Sequence, residues 1–85
     1  MSVVLRFEGI VFVIWTREPT SEPPHIHAYY PRFKDHEASA KVRIDTLGIM
    51  EHDGFSKADL KMIQEKVSEH RDRLMEKWEE YHEEI

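Results

Sequence analysis

The pattern of hydrophobic and polar residues near the N-terminus predicts a β-hairpin. The segments SVVLRF and IVFVIW flank Glu8 and Gly9. A glycine in a two-residue connection suits a hairpin, because glycine adopts the positive φ that such turns need. All six residues of the second segment are apolar or aromatic, which is typical of a strand covered on both faces. We therefore expect the second segment to be a central strand.

Two further segments, HIHAYY and EASAKVRI, alternate polar and apolar residues after a proline-rich loop. Because side chains alternate between the faces of a strand, His25, His27 and Tyr29 share one face. Lys41 and Arg43 lie on the polar face of the second of these segments. If the two strands pair antiparallel with their apolar faces on the same side, the residue numbers of each directly opposed pair must add up to an even number. This register places both cations beside the two histidines.

The last third of the chain predicts one long amphipathic helix. Ser56, with Asp59 three residues later, has the pattern of a helix N-cap. The apolar residues that follow recur within a stripe about 60° wide. Such a helix would be about 40 Å long, about twice the length of a six-residue strand, so its C-terminal half is expected to overhang the sheet. Trp78, Tyr81 and Ile85 on that half are then predicted to contact a partner or a second copy.

These elements assemble into one small α+β domain over residues 1–85. We expect an antiparallel sheet of about four strands, arranged as two hairpins, over residues 1–55. One long helix over residues 56–85 is expected to pack on one face of this sheet. A chain of this length rarely builds two separate cores.

Composition indicates a cytoplasmic protein with no membrane contact. The chain has no cysteine, which fits a reducing compartment and leaves the small core without a disulfide. Its longest apolar run is far shorter than the roughly 20 residues of a membrane span, and the N-terminus has no signal-peptide pattern. Twelve Lys and Arg against 17 Asp and Glu give a net charge of −5. This charge disfavours sequence-independent binding to nucleic acid, although a local contact stays open.

The His-x-His strand is the main candidate site, and a metal ion is one ligand that it could bind. Neutral imidazoles at His25 and His27 can converge on zinc, nickel, copper or iron. A complete site would need a third or fourth ligand, for which His36, Glu37, His52 or another chain would have to come close. No cofactor is otherwise indicated.

An anion is the second ligand that this strand could bind. Lys41 and Arg43 opposite His25 and His27 would form a small positive cluster, which disfavours a metal cation. Tyr29 would be available to stack on a ligand or to contact a carboxylate or phosphate. The third interpretation is structural, with the histidines hydrogen-bonded to neighbouring loops and no ligand.

Catalytic motifs are few. There is no cysteine nucleophile, and the three glycines are scattered singly, so no glycine-rich phosphate loop is present. A ribonuclease would instead use a histidine as general base, with Lys41 or Arg43 stabilising the charged transition state.

The chain resembles a family of small bacterial proteins, the domain of unknown function 4160. The resemblance rests, in order, on LRFEGIVFVI, REPTSEPPHIHA, AKVRID and GFSKADLKMIQEKVSEHRDRLMEKWEEY. It covers nearly the whole chain, and the segment Pro-Pro-His-Ile-His is its most specific part. Carried over residue by residue, it points to His25, His27, Ala40 and Lys41. The segment YYPRFKDHEAS is longer than the turn expected in this family.

The resemblance implies a role in a bacterial two-gene module. Genes of this family often lie beside genes of the domain of unknown function 2442, and such pairs are commonly described as toxin and antitoxin. We therefore expect an interaction protein, toxin-like, that binds a small protein of that second family. A homodimer is also compatible with the apolar helix stripe.

Two other functions stay open as alternatives. One is an enzyme that acts on RNA or phosphate esters through His25, His27, Lys41 and Arg43. The other is a metal-binding module centred on the two histidines.

Overall fold

The computed structural model describes residues 2–15 and 22–82 of the chain. In this part of the chain the elements are β1 (Ser2–Phe7), β2 (Ile10–Ile14), β3 (His25–Tyr30), β4 (Ala38–Arg43), β5 (Ile49–Asp53), α1 (Lys57–Glu69) and α2 (Arg71–His82). The strands form one antiparallel sheet in the order β1-β2-β3-β4-β5. The α+β class predicted from the sequence is confirmed.

The N-terminal hairpin has the predicted turn. Phe7 lies opposite Ile10, and the backbone reverses at Glu8 and Gly9, whose φ angles are 50° and 80°. A Cβ atom at Gly9 would lie 3.0 Å from the ring of Tyr30, so the turn packs closely on the end of β3. As predicted, β2 is not an edge strand and lies between β1 and β3.

The β3–β4 pairing has the predicted register. His25 lies opposite Arg43, and His27 lies opposite Lys41. On the other face, Ile26 is paired with a valine of β4, and both side chains are fully buried. The matching of apolar faces therefore fixes the register, because any odd slip would expose these side chains. The proline-rich loop expected before β3 lies in part, at residues 16–21, outside the described residues.

Within residues 2–15 and 22–82 the sheet contains five strands, so the expected number of about four is wrong. β5 pairs antiparallel with β4 and places Glu51 opposite Lys41 and Asp53 opposite Ser39. Its sequence, IMEHD, has two adjacent apolar residues followed by three polar ones, so it lacks the alternation of a half-buried strand. The three polar residues are all exposed. Charged side chains are common on edge strands, where they discourage pairing with other chains.

The C-terminal region forms two helices, so the prediction of one long helix is wrong. α1 begins as predicted, with the Ser56 hydroxyl accepting from the Asp59 amide at 3.1 Å and the Asp59 carboxylate accepting from the Ser56 amide at 3.3 Å. The helix ends at Glu69, and His70 leaves helical geometry with φ −113° and ψ 18°. α2 begins at the next residue.

The break at His70 leaves no mark on the hydrophobic pattern. The apolar stripe continues across it, so the sequence predicts a single helix. Leu74 and Trp78, both beyond the break, are buried in the core, at 1% and 7% exposure. The predicted overhang of the C-terminal half is therefore wrong for these two residues.

The core lies between the two helices and one face of the sheet. Its buried members come from β2, β3, β4, the β4–β5 turn and both helices: Ile10, Phe12, Ile14, Ile26, Ala28, Ala40, Val42, Ile44, Ile63, Val67, Leu74 and Trp78. The opposite face of the sheet, here called the outer face, carries the alternate residues of the same strands: Val11, Val13, His27, Tyr29, Ser39, Lys41, Glu51 and Asp53.

The end of α2 packs against the start of β1. Tyr81 donates a hydrogen bond to the hydroxyl of Ser2 at 2.8 Å. Trp78 lies between the rings of His25 and His82, at centroid distances of 4.9 and 3.7 Å. Ile85, the third residue of the predicted interface, lies outside the described residues. Within residues 2–15 and 22–82, no helix is both long enough and apolar enough to cross a membrane.

Candidate functional site

Five aromatic side chains meet on the outer face and are here called the aromatic cluster: Trp15, His27, Tyr29, Phe33 and His36. Phe33 contacts both Trp15 and Tyr29 edge to face, at centroid distances of 5.1 and 5.6 Å. Tyr29 also lies 4.8 Å from His36 and stacks nearly parallel to His27 at 6.1 Å. The cluster joins the end of β2, the outer side of β3 and the loop before β4.

Hydrogen bonds fix the orientation of these rings. The Trp15 indole nitrogen donates to the Tyr29 hydroxyl at 3.2 Å. The Nδ1 atom of His36 lies 2.9 Å from the Phe33 carbonyl, which can only accept, so this nitrogen carries the proton. The loop closes through the Glu37 amide, which donates to the Tyr30 carbonyl at 2.7 Å. The segment YYPRFKDHEAS thus supplies three rings of the cluster, those of Tyr29, Phe33 and His36.

Lys41 is held between two carboxylates. Its ammonium nitrogen lies 2.6 Å from Oε2 of Glu22 and 3.6 Å from Oε2 of Glu51. The hydrogen bond from Lys41 lowers the pKa of Glu22 below its ordinary value, against the opposing effect of desolvation. The charge of Lys41 is therefore largely compensated within the protein.

His25 is the one fully buried polar residue in the described core. Its Nδ1 atom bonds to the Pro23 carbonyl at 2.9 Å, and its Nε2 atom lies 3.7 Å from Oε2 of Glu22. Its ring also contacts Trp78 and His27. These contacts give His25 a packing role at the start of β3.

Arg43 is directed to the β4–β5 turn. Its Nε and Nη2 atoms donate to the two carboxylate oxygens of Asp45 at 2.8 and 2.6 Å. These bonds, with a backbone bond from Thr46, lower the pKa of Asp45 to about 2 and raise the pKa of Arg43. Of the predicted site residues, the structure therefore brings together His25, His27, Tyr29 and Lys41 and engages Arg43 elsewhere.

A shallow depression of about 370 Å³ lies beside the aromatic cluster. Its lining comes from β3, β4, β5 and the loop between β3 and β4: His27, Tyr29, His36, Ser39, Ala40, Lys41, Glu51, His52 and Asp53. The carboxylates of Glu51 and Asp53 lie on the same face as Lys41 because of the β4–β5 register. Acidic side chains therefore offset the positive charge that the sequence predicts for this surface.

The described residues do not assemble a metal-binding set. Within residues 2–15 and 22–82, no group of three or more His, Asp or Glu side chains is placed to hold one ion. His25 and His27 lie edge to face with centroids 5.1 Å apart.

Several residues of this surface were not identified from the sequence. Glu22 lies in the proline-rich segment and Phe33 in the loop between β3 and β4, where no periodic pattern indicates which way a side chain points. His36, in the same loop, is predicted only as a possible further metal ligand. Glu51 and Asp53 would have been found by extending the parity argument to β5, once that segment is recognised as a strand.

Comparison with known proteins assigns the chain to a family. A search of curated proteins and a search of solved structures each give no significant match. A family model matches residues 9–79. This range includes β2 to β5, the aromatic cluster, all of α1 and most of α2. The chain belongs to the family described as Domain of unknown function (DUF4160).

Proposed function

We propose that this protein binds a small protein partner through the aromatic cluster on its outer face, as the toxin-like component of a two-gene module. The observation that carries this proposal is the concentration of aromatic side chains on the sheet face opposite the helices. Trp15, His27 and Phe33 are each partly exposed, and His36 is exposed. Aromatic residues are enriched in the cores of protein interfaces and supply much of the binding energy there.

The charges of this surface favour protein binding over phosphate chemistry. A ribonuclease or phosphoesterase site needs positive charge directed at the substrate. Here Lys41 is paired with Glu22, Arg43 is paired with Asp45, and His25 is buried. A phosphate group in the depression would also meet Glu51 and Asp53.

The family resemblance supports the identity proposed for the partner. Genes of this family often lie beside genes of the domain of unknown function 2442, so the product of such a neighbouring gene is the partner we propose. Neighbouring genes support an association between their two products, but they do not indicate which surfaces are in contact. The contact surface is therefore argued from the fold. We propose the aromatic cluster as that surface.

The docking role is tested with Phe33→Ala/His36→Ala. Both residues lie in the loop before β4, outside the buried core, so the fold should survive their truncation. We expect the affinity for the neighbouring-gene product to fall about tenfold or more, because truncating an interface aromatic commonly costs over 1 kcal/mol. Titration calorimetry measures this loss.

The matched control is Lys61→Ala/Glu65→Ala on the exposed side of α1. It should bind the partner as the wild type does. Thermal melting of all three proteins confirms that folding is retained. Equal affinities for the wild type and the loop variant would exclude the aromatic cluster as the docking surface, and failure of the wild type to bind would exclude the partner.

A further inference from the structure

The β5 edge of the depression carries two carboxylates that the core does not use. Glu51 and Asp53 are exposed, and the Glu51 side chain is 75% accessible. Among the described residues, the ion pair of Glu51 is a long contact with Lys41, at 3.6 Å. In the part of the chain that the structure describes, no ion pair involves Asp53. Both carboxylates can therefore accept hydrogen bonds from a ligand with little loss of internal contacts.

Acidic groups outnumber basic groups at this end of the outer face. The ammonium of Lys41 contacts Glu22 and Glu51, and Asp53 lies on the same face two residues further along β5. Among the described residues at this end of the face, one cation therefore lies with three carboxylates, two of which contact it. Electrostatic complementarity favours a partner group that carries positive charge.

The opposite side of the depression is aromatic. The rings of Tyr29 and His36 meet at 4.8 Å, and His27 stacks beside Tyr29. A guanidinium group suits such a pairing of acid and ring, because it is planar, stacks on aromatic faces and donates two parallel hydrogen bonds to carboxylates. An ammonium group is a more strongly hydrated point charge and gains less from the rings.

We propose that the protein partner inserts an arginine side chain into this depression, between the carboxylates of Glu51 and Asp53 and the exposed ring of His36, which lies against the largely buried ring of Tyr29. This inference rests on the proposed docking function and specifies the chemistry of the partner. Arginine is among the residues that contribute most to protein interfaces. The partner segment that enters the depression is therefore basic, with apolar residues beside the arginine for Phe33 and Trp15.

The first test changes the charge of the depression and leaves its shape. Glu51→Gln/Asp53→Asn should weaken binding of the neighbouring-gene product about tenfold or more, since removing one side of a charge-assisted pair at an interface commonly costs over 1.4 kcal/mol. The effect should shrink as salt is raised. The control, Glu65→Gln/Asp72→Asn on exposed helix positions, should bind as the wild type does.

The second test needs no protein partner. N-acetyl-arginine amide is titrated into the isotope-labelled protein, and the amide resonances of β3, β4 and β5 are followed. N-acetyl-citrulline amide, which is neutral and of the same shape, and N-acetyl-lysine amide are the comparison probes. We expect saturable shifts with the arginine compound, weaker shifts with lysine, none with citrulline, and loss of the shifts in Glu51→Gln/Asp53→Asn.

The outcomes separate this inference from the docking proposal. If Phe33→Ala/His36→Ala abolishes partner binding but Glu51→Gln/Asp53→Asn does not, docking holds and the arginine inference is overturned. If the wild type binds no partner, the docking proposal fails, and the small probes alone decide the chemistry of the depression. Equal shifts with arginine and citrulline would overturn the inference. A concentration-dependent dimer that disappears in Glu51→Gln/Asp53→Asn would assign the site to a second copy and would also overturn it.

Discussion

Arg43 shows how a side chain on a correctly predicted face can have a role other than the predicted one. The register places Arg43 opposite His25, as the sequence indicates. Its guanidinium instead forms two parallel hydrogen bonds with Asp45, two residues along the chain. The alternation of residues along a strand does not predict a local acceptor of this kind. It indicates on which face of the sheet a side chain lies, but not in which direction a long side chain extends. Asp45 itself stands in a turn, where no periodic pattern applies.

The pKa of Asp45 predicts a specific loss of stability in acid. Its folded-state pKa of about 2 lies below the usual 3.8, so its contribution to the free energy of unfolding is present above about pH 3.8 and is lost as the pH falls through about 2. Asp45→Asn should therefore lower the melting temperature at neutral pH and flatten its decline between pH 4 and pH 2. Calorimetric melting across this range measures both effects.

The control for this experiment is Asp72→Asn, at an exposed position in the first turn of α2. It should leave the acid slope between pH 4 and pH 2 as in the wild type. The assignment to the Arg43–Asp45 pair fails if both variants decline in parallel with the wild type.

At the scale of elements, the sequence predicts the helices and strands that have a clear residue pattern. It does not predict features that depend on where an element lies in the fold. The first hairpin, the β3–β4 register and the Ser56 N-cap follow from alternation, turn chemistry and capping. β5 was missed because its exposed edge position removes the alternation. The break at His70 was missed because the apolar stripe is the same on both sides of it. The aromatic cluster needs the β3–β4 loop, whose path no local rule specifies.

The connection between β5 and α1 contains a position that only glycine fits. Gly54 has a φ of +85°, and a Cβ atom there would lie 2.6 Å from the Glu37 carbonyl oxygen. Gly54→Ala should therefore lower the free energy of unfolding by about 1–3 kcal/mol, from the strained φ and the clash together. Chemical denaturation measures this change.

Gly48→Ala is the matched control in the neighbouring turn. A Cβ atom at Gly48 would lie 3.3 Å from the side-chain hydroxyl of Thr46, which can move, and its φ is not in the left-handed region. Its effect should be clearly smaller than that of Gly54→Ala. Equal losses of stability in the two variants would contradict the close packing described for the β5–α1 junction.

At the scale of the whole molecule, the two faces of the sheet differ in what covers them. One face is sealed by α1 and α2, and the outer face carries the aromatic cluster and the depression. Trp78 and Tyr81, which the sequence predicts as interface residues, make contacts within the chain. Trp78 packs on His25, and Tyr81 donates a hydrogen bond to Ser2. Substitutions at the exposed outer-face positions His36, Glu51 and Asp53 therefore leave the buried core cluster in place.

The toxin-like role proposed for the molecule predicts an effect on growing cells. Expression of this protein alone in a bacterial host should slow growth, and co-expression of the neighbouring-gene product should restore it by occupying the outer face. Growth curves under a titratable promoter measure both effects. Phe33→Ala/His36→Ala should not be rescued to the same extent if its own expression remains inhibitory. Unchanged growth at protein levels confirmed by immunoblotting would exclude the toxin-like role.

The sequential order of the five strands has a consequence for how the protein folds during synthesis. In the part of the chain that the structure describes, every strand pairs only with its neighbours in sequence, and the longest connection between two paired strands is the ten residues from β2 to β3. Pairings between near neighbours require little loop-closure entropy and are typical of faster folding. The sheet can therefore form from its N-terminal end while the chain is still being made. Its apolar face then stays uncovered until α1 and α2 leave the ribosome, and this interval is when the nascent chain most needs protection from aggregation.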